Sequence, residues 1–556
     1  MKNWIFVLLI VLFSIVGMGQ TGIQDSLKHR SSFDFSELSF VDAYDSMHAT
    51  MSLRYPFTQW KAVNWNEKDS VTRPKILAAA TNNDTVAFTS ALFEYLYQIP
   101  DGHIELAGVS DQYKYQTVGG TYGFNMMKVD DGTVVVTYIP EESPAYEAGL
   151  RTNDRILKWN GIEINDVGNK EYLNYFRNYA TEEGRMYSRY LMLGRDSIGR
   201  EAEISFQSPQ SKAETTISLI AFDDSMEMFY MGVFNTASQP NIDTLVSYKI
   251  LESNVGYLEI KAEVCEGITP EEIMLCPDFL LVQEAIVYFN DNSIEDLIVD
   301  LRFNLGGNDL QAAVTMGLFF QHPSFYEYIT ASYDYDYEVL YSLWTEPVTP
   351  KYNGEIAVIV DPNCISTGEG AAMMLERAGA TIISHWGTNG SFGMVDYDPV
   401  LMPAGLQVVF PQARSLDENY DIQLDTDSLM VGGVTPNMVV PLNDLNVYDQ
   451  WVNFVDVQLE YALGHLLSDV EEENNSGCSL YPIPCNDIVN IEFSMPLVSE
   501  CMLELFNNLG VVVLTYDLIP GSEDYIVNTS KLGAGVYFYR ISVDGEILKG
   551  SIIVQR

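Results

Sequence analysis

Two short runs in the polarity pattern lack any alternation of apolar and polar positions: Leu297-Ile-Val299 and Ile356-Ala-Val-Ile-Val360. Such runs are the mark of strands buried on both faces in a parallel sheet. Each ends in small residues and then changes to helical spacing. Gly306-Gly307 precedes the pattern at residues 311–320, and Ser366-Thr-Gly368 precedes the pattern at residues 369–375. A further strand at residues 255–260 and a helical stretch at residues 279–288 complete an alternation of strand and helix. That alternation predicts an α/β core with parallel pairs.

Elsewhere the period differs. Residues 31–110 read as helices punctuated by aromatic residues, with the clearest spacing at residues 86–96. From about 114 to 220 the pattern is one of short strands, and residues 221–255 show no clear period. A helix is predicted at residues 448–463, followed by the acidic, polar stretch Asp469-Val-Glu-Glu-Glu-Asn-Asn-Ser-Gly477, which reads as a linker. The last eighty or so residues are rich in strand patterns. At the other end, Lys2 precedes a short apolar run and small residues up to Gly19. That is the layout of a cleavable secretory signal, with no stable membrane span once it is removed.

Composition narrows the function. A chain of 556 residues holds about three or four domains. Its net charge of −47 argues against nucleic acid or an anionic membrane as a partner. Six cysteines in an exported chain permit disulfides. Cys265 and Cys276 are close enough to bridge, as are Cys478 and Cys485, whereas Cys364 and Cys501 fall in apolar stretches and read as packed thiols. No Cys/His spacing fits zinc, so no metal or other cofactor is expected.

The turn before residue 369 is where chemistry is expected. A serine at the start of a helix has its Oγ beside free N–H groups, where developing negative charge is favoured. The Gly306-Gly307 pair offers backbone N–H groups with no side chain in the way, as an oxyanion hole requires. The alternative for Ser366 alone is an ordinary helix N-cap.

Asp300-Leu-Arg-x-Asn-x-Gly-Gly307, followed by Ser366-x-Gly-Glu369, resembles the peptidase family of the C-terminal processing proteases and the tricorn protease. The resemblance implies a ClpP/crotonase-like protease core with Ser366 as nucleophile and Thr367, Gly306 and Gly307 as oxyanion donors. The processing proteases take their base from a lysine in a Gly-Lys turn. Here that turn reads Gly387-Thr-Asn-Gly-Ser391-Phe-Gly393, and no lysine lies between Lys351 and Lys531. The base must come from elsewhere, and a histidine has a suitable pKa. Asp101-Gly-His103 stands after a helix where tricorn-like members carry their histidine, although Gly102 replaces their preceding serine. His385 is the rival. The late orienting glutamate of tricorn-like members falls on Met430, so Asp427 is expected to orient the base, with Asp425 or Glu369 as alternatives.

Two further stretches resemble known modules. Gly119-Gly-Thr-Tyr-Gly-Phe124-Asn, Ser143-Pro-Ala-Tyr-Glu-Ala-Gly-Leu150 and Asn153-Asp-Arg-Ile-Leu157 resemble a PDZ domain. That likeness implies a carboxylate-binding loop at Gly123 and Phe124 and a strand edge for peptide pairing. The end of the chain, with Tyr481-Pro-Ile-Pro484 in place of the usual Tyr-Pro-Asn-Pro, resembles the β-sandwich sorting domain of the type IX secretion pathway. The expected organisation is a signal peptide at 1–19, a helical cap at 31–112, a PDZ domain at 113–222 and a protease core at 250–467. A linker at 468–478 and a sorting domain at 479–556 follow. The expected function is a secreted or cell-surface serine endopeptidase with a Ser/His mechanism and PDZ-assisted binding of a peptide or protein through its C-terminus. The type IX machinery is its export partner, and the competing class is an inactive ligand- or peptide-binding protein of the same fold.

Overall fold

The computed structural model describes residues 33–168, 177–233 apart from 210 and 212, and 244–468 apart from 252 and 396–398. From 478 to 554 it describes all but 482–484, 494–500, 507–511, 522–523, 534 and 544–545. The expected signal peptide, nearly all of the expected linker and the prolines of Tyr481-Pro-Ile-Pro484 lie outside the described residues. The chain divides into two compact units, 1–458 and 459–556.

The core of the first unit is a six-stranded sheet. Its five parallel strands lie in the order Gly256–Ile260, Asp296–Asp300, Glu355–Ile359, Thr381–Ser384 and Met438–Val439, with Val246–Ile250 antiparallel on one edge. Both apolar runs found in the sequence are central strands, in register from Asp296 opposite Glu355 to Asp300 opposite Ile359. Leu297, Ile298, Val299, Val358 and Ile359 are fully buried, each worth about 1.5–3 kcal/mol relative to exposure. Helices Pro277–Asp291, Asp309–Met316 and Thr367–Arg377 share one apolar cluster with this sheet. The Gly-Gly turn and Ser366 therefore both follow the carboxyl ends of adjacent parallel strands, the edge where open α/β sheets gather their ligands.

The predicted helices near the start are Phe40–Arg54, Trp65–Asn82 and Thr85–Tyr97, capped by the side chains of Ser39, Asn64 and Asp84. They do not close a core of their own. Ala43, Tyr44, Phe88 and Leu92 share a cluster with Val400, Met402, Val408 and Phe410. The strand Glu105–Ala107 pairs antiparallel with Gln407–Val409. Residues 120–223 form an antiparallel sheet of Asn125–Lys128, Val134–Tyr138, Arg155–Trp159, Glu201–Gln207 and Glu214–Ile220, with helix Glu182–Leu193 nearby. In the second unit two antiparallel sheets share one apolar cluster, including Val489, Ile491, Leu503, Leu505, Ile541 and Ile552.

Two expectations are corrected. The helix predicted at residues 448–463 is two helices, Asp444–Trp451 and Val457–Ser468. Arg302 accounts for the break, since it draws Asp456 out with a bidentate pair at 2.8 and 2.7 Å. Of the two cysteine pairs, Cys265–Cys276 is a disulfide, whereas Cys485 is a free, buried thiol and so is not bridged to Cys478.

Candidate active site

The Glu355–Ile359 strand passes into a turn that the Asp361 carboxylate braces. That carboxylate accepts from the N–H groups of Asn363 (3.1 Å), Cys364 (3.0 Å) and Phe303 (3.0 Å). It thereby joins the turn before Ser366 to the one before Gly306. Ser366 itself has φ +59° and ψ −133°, a region a residue with a Cβ enters only where its surroundings hold it. They do so here: Ser366 N donates to Ser391 O at 3.0 Å and Ile365 N to Asn304 O at 3.0 Å. In this conformation Ser366 Oγ does not cap its own helix. The ordinary N-cap reading is therefore set aside.

The glycine turn lies directly against this serine. A Cβ on Gly306 would sit 2.6 Å from Ser366 Cβ and 2.9 Å from Thr367 N, and one on Gly307 would sit 1.9 Å from Glu263 O. Glycine is required at both positions by contact alone, and at Gly306 by a φ of +76° as well. The donors divide unequally. Gly306 N already donates to Asn304 Oδ1 at 2.8 Å, so it is a bracing group and no free oxyanion donor. Gly307 N and Thr367 N have no acceptor among the described residues. Gly307 bridges Glu263 through its neighbours, Gly306 O and Asn308 N, and its own carbonyl accepts from Thr367 Oγ1 at 3.1 Å.

Asn304 organises this side, a role not read from the sequence although the residue lies within the quoted motif. It is fully buried and donates to Ile260 O (3.1 Å) and Glu263 Oε1 (2.9 Å) while accepting from Gly306. Burial pushes the Glu263 carboxyl up to about 7, against the Asn304 amide. Asp309 accepts from Thr367 Oγ1 at 2.6 Å and is likewise pushed up by burial, to about 6.

His103 belongs to a turn docked on the nucleophile loop. Gly102 N donates to Ser391 Oγ at 2.7 Å, and a Cβ on Gly102 would meet Ile365 Cδ1 at 2.6 Å and Asn389 Oδ1 at 2.2 Å. The residue before His103 thus touches the residue before Ser366. Asp101 holds the turn itself: its Oδ1 accepts from His103 N (2.9 Å) and its Oδ2 from Tyr55 OH (2.5 Å). His103 Nδ1 is buried with no hydrogen-bond partner. Burial pushes the imidazole down to about 4, so the ring is neutral at neutral pH. No hydrogen bond joins His103 to Ser366 in this structure.

The remaining candidates sort by their partners. Asp427 Oδ1 accepts from Leu429 N (2.7 Å) and Val431 N (3.1 Å), bracing its own turn. Asp425 is buried. Its Oδ2 accepts from Phe392 N at 3.2 Å, its Oδ1 has no hydrogen bond, and burial pushes its carboxyl up to about 7. Glu369 is fully buried and gathers the loop at residues 388–391, accepting from Thr388 Oγ1, Gly390 N (2.7 Å) and Ser391 N (2.8 Å). Both ring nitrogens of His385 are engaged, by Val440 O (2.8 Å) and Gln450 Oε1 (3.4 Å). Further along the chain, Gly123 N donates to Thr121 Oγ1 at 3.1 Å and Phe124 is fully buried.

The comparisons agree with this architecture. Residues 279–440 match the model of peptidase family S41. The chain carries an S41 peptidase domain. Residues 479–555 match the secretion system C-terminal sorting domain, which indicates a secreted or cell-surface protein. Among solved structures, mature CPAF is similar at 13% identity and TM-score 0.55, covering 79% of this chain and 98% of that one. Mature CPAF complexed with lactacystin is similar at 14% identity and TM-score 0.54, covering 76% and 96%. A putative S41 protease from Bacteroides fragilis follows at 15% identity and TM-score 0.36, covering 76% and 97%. At these identities the CPAF likeness speaks for the fold alone. No curated protein matches the chain. No helix among the described residues is long and apolar enough to cross a membrane.

Proposed function

We propose that this protein is an exported serine endopeptidase in which Ser366 is the nucleophile and His103 its base. One observation carries the reading: Ser366 is held at a strained φ/ψ with its Oγ free of capping, beside two N–H groups, Gly307 and Thr367, that have no acceptor. In the reaction, Ser366 Oγ attacks the scissile carbonyl carbon and His103 takes the hydroxyl proton. The carbonyl oxygen becomes an oxyanion between Gly307 N and Thr367 N, a pair whose removal typically costs several kcal/mol of barrier. His103 then returns the proton to the leaving amine, and water hydrolyses the acyl-enzyme by the same path in reverse. Asp425, in place of Asp427, is the carboxylate that orients the imidazole, because Asp427 braces its own turn while Asp425 keeps a buried oxygen with no hydrogen bond.

Residues 113–222 act in this reading as a PDZ-like module that offers Gly123, Phe124 and the Asn125–Lys128 strand to a peptide terminus. Helix Glu227–Val233 stands where that peptide would lie. Asn125 Nδ2 donates to Met228 O at 2.8 Å, and Tyr187 OH to Gly232 O. Peptide binding there requires this helix to move away. The type IX machinery handles the C-terminal domain.

The test is reaction with a fluorophosphonate, followed by mass-spectrometric location of the adduct, together with hydrolysis of a mixed peptide library. Adduct on Ser366 and cleavage lost in Ser366→Ala support the reading. Folded protein that neither labels nor cleaves would leave the non-catalytic binding protein in its place.

A further inference from the structure

Behind the histidine turn lies a buried cation that the reaction above does not use. The Lys61 side chain is fully buried, as is that of Asp425. Its Nζ donates to Pro100 O at 2.9 Å and to Thr426 Oγ1 at 2.9 Å, and stands 3.6 Å from Asp425 Oδ1. A buried ammonium is tolerated only when it is hydrogen-bonded and its charge is paired; Pro100 O and Thr426 Oγ1 accept from it and the Asp425 carboxylate pairs its charge. Two of these groups belong to the segment 425–426 and the third lies just ahead of His103. The preceding residue reinforces the link, since Trp60 Nε1 donates to Asp425 O at 3.0 Å. His103 Nδ1 and Asp425 Oδ1 are both buried without a hydrogen bond, and Oδ1 faces the Lys61 ammonium as its ion-pair partner.

We propose that Lys61 is a positioning residue of the hydrolytic site: its ammonium locks the histidine turn against the Asp425 segment. The proposal rests on the reading of Ser366 and His103 as nucleophile and base. A lysine absent from the family's usual turn after the serine thus acts on the site from the start of the chain, through the base and not as the base.

The charges around His103 pull in both directions. Apart from burial, Asp101 favours the imidazolium, whereas Arg177 and Lys61 oppose it. Arg177 is held by Asn363 O at 3.1 Å, and both Asp101 oxygens are engaged by Tyr55 and His103 N. Around Asp425, Lys61 favours the carboxylate and Asp101 opposes it. Removing the Lys61 charge therefore raises the proton affinity of both groups.

The experiment compares wild type, Lys61→Met and Lys61→Arg. It follows the His103 ring by NMR of histidine-labelled protein, assigned through His103→Gln, and the pH dependence of Ser366 phosphonylation. In folded Lys61→Met the His103 midpoint is expected to rise by about one pH unit. The acid limb of phosphonylation should move the same way, and Lys61→Arg should restore both. Unchanged midpoint and limb would overturn the proposal and leave Lys61 a structural staple. If Lys61→Met does not fold, Lys61→Gln, which keeps donors for Pro100 and Thr426 without the charge, is judged by the same two readouts. Wild-type protein that never reacts removes the hydrolytic site and the proposal with it. That failure is distinguishable because it is seen before any lysine variant is made.

Discussion

The two sides of Ser366 are built differently. On the oxyanion side everything comes from neighbouring strands of one sheet and the turns after them. Asn304, Glu263 and Asp361 engage the local backbone and leave Gly307 N and Thr367 N without an acceptor among the described residues. On the base side the parts come from distant stretches of chain, and two buried atoms, His103 Nδ1 and Asp425 Oδ1, have no hydrogen bond. A preorganised donor pair costs no rearrangement when charge develops. A base whose contacts tighten only when substrate arrives is common in unliganded sites. In the proposed mechanism the oxyanion side would thus be complete before substrate binds, and the base side would be where binding does its arranging.

Substitutions should break this contrast in a graded way. Ser366→Ala should lower peptide hydrolysis by roughly 10⁴-fold or more, and His103→Ala by nearly as much, because members of one catalytic unit fail together. Titration of active sites with the phosphonate would check both. Asn304→Ala should cost roughly 10²-fold in kcat with little change in KM, since Gly306 N and Glu263 lose their shared partner and the donor pair drifts. Ser391→Ala should weaken the base side alone. It removes the acceptor of Gly102 N, with about a tenfold loss in kcat/KM and a loss of about 1 kcal/mol in stability by urea unfolding. Asp427→Asn should change activity less than about twofold, because that carboxylate serves its own turn.

The pH dependence separates the two sides further. Phosphonylation of Ser366 should rise as pH climbs through about 7, where Asp425 ionises. His103, with its ring near 4, is already neutral there. Asp425→Asn should flatten that rise. Stability should run the other way. Burial raises Glu263 to about 7, Asp425 to about 7 and Glu369 to about 8. The folded chain therefore holds protons that the unfolded chain releases at about 4. These groups favour the fold at about pH 4 and lose that contribution as pH rises towards 8, so Tm should be higher near pH 5 than near pH 8.

The legibility of the site in the sequence follows the same division. Leu297–Val299 and residues 356–360 announced the central strands because burial on both faces leaves a local signature. The small residues after them marked the turn where Ser366 stands. Nothing local revealed that Gly306 N is already engaged, since that depends on the rotamer of Asn304. The base side was less visible still. His103 was legible as a turn after a helix, but its docking depends on Ser391, on Lys61, and on Glu105–Ala107 pairing with Gln407–Val409. These partners lie from tens to hundreds of residues away, beyond any periodicity. The break in the helix predicted at 448–463 has the same cause, an ion pair to the distant Arg302.

The most direct measurement of this account is a crystal structure of the Ser366 phosphonate adduct. It should place the phosphoryl oxygen within about 2.7–3.1 Å of both Gly307 N and Thr367 N, with the His103 ring turned to the Ser366 oxygen and its Nδ1 bonded to Asp425. A phosphoryl oxygen held by other donors, or an imidazole still out of hydrogen-bond reach of the adduct, would contradict it.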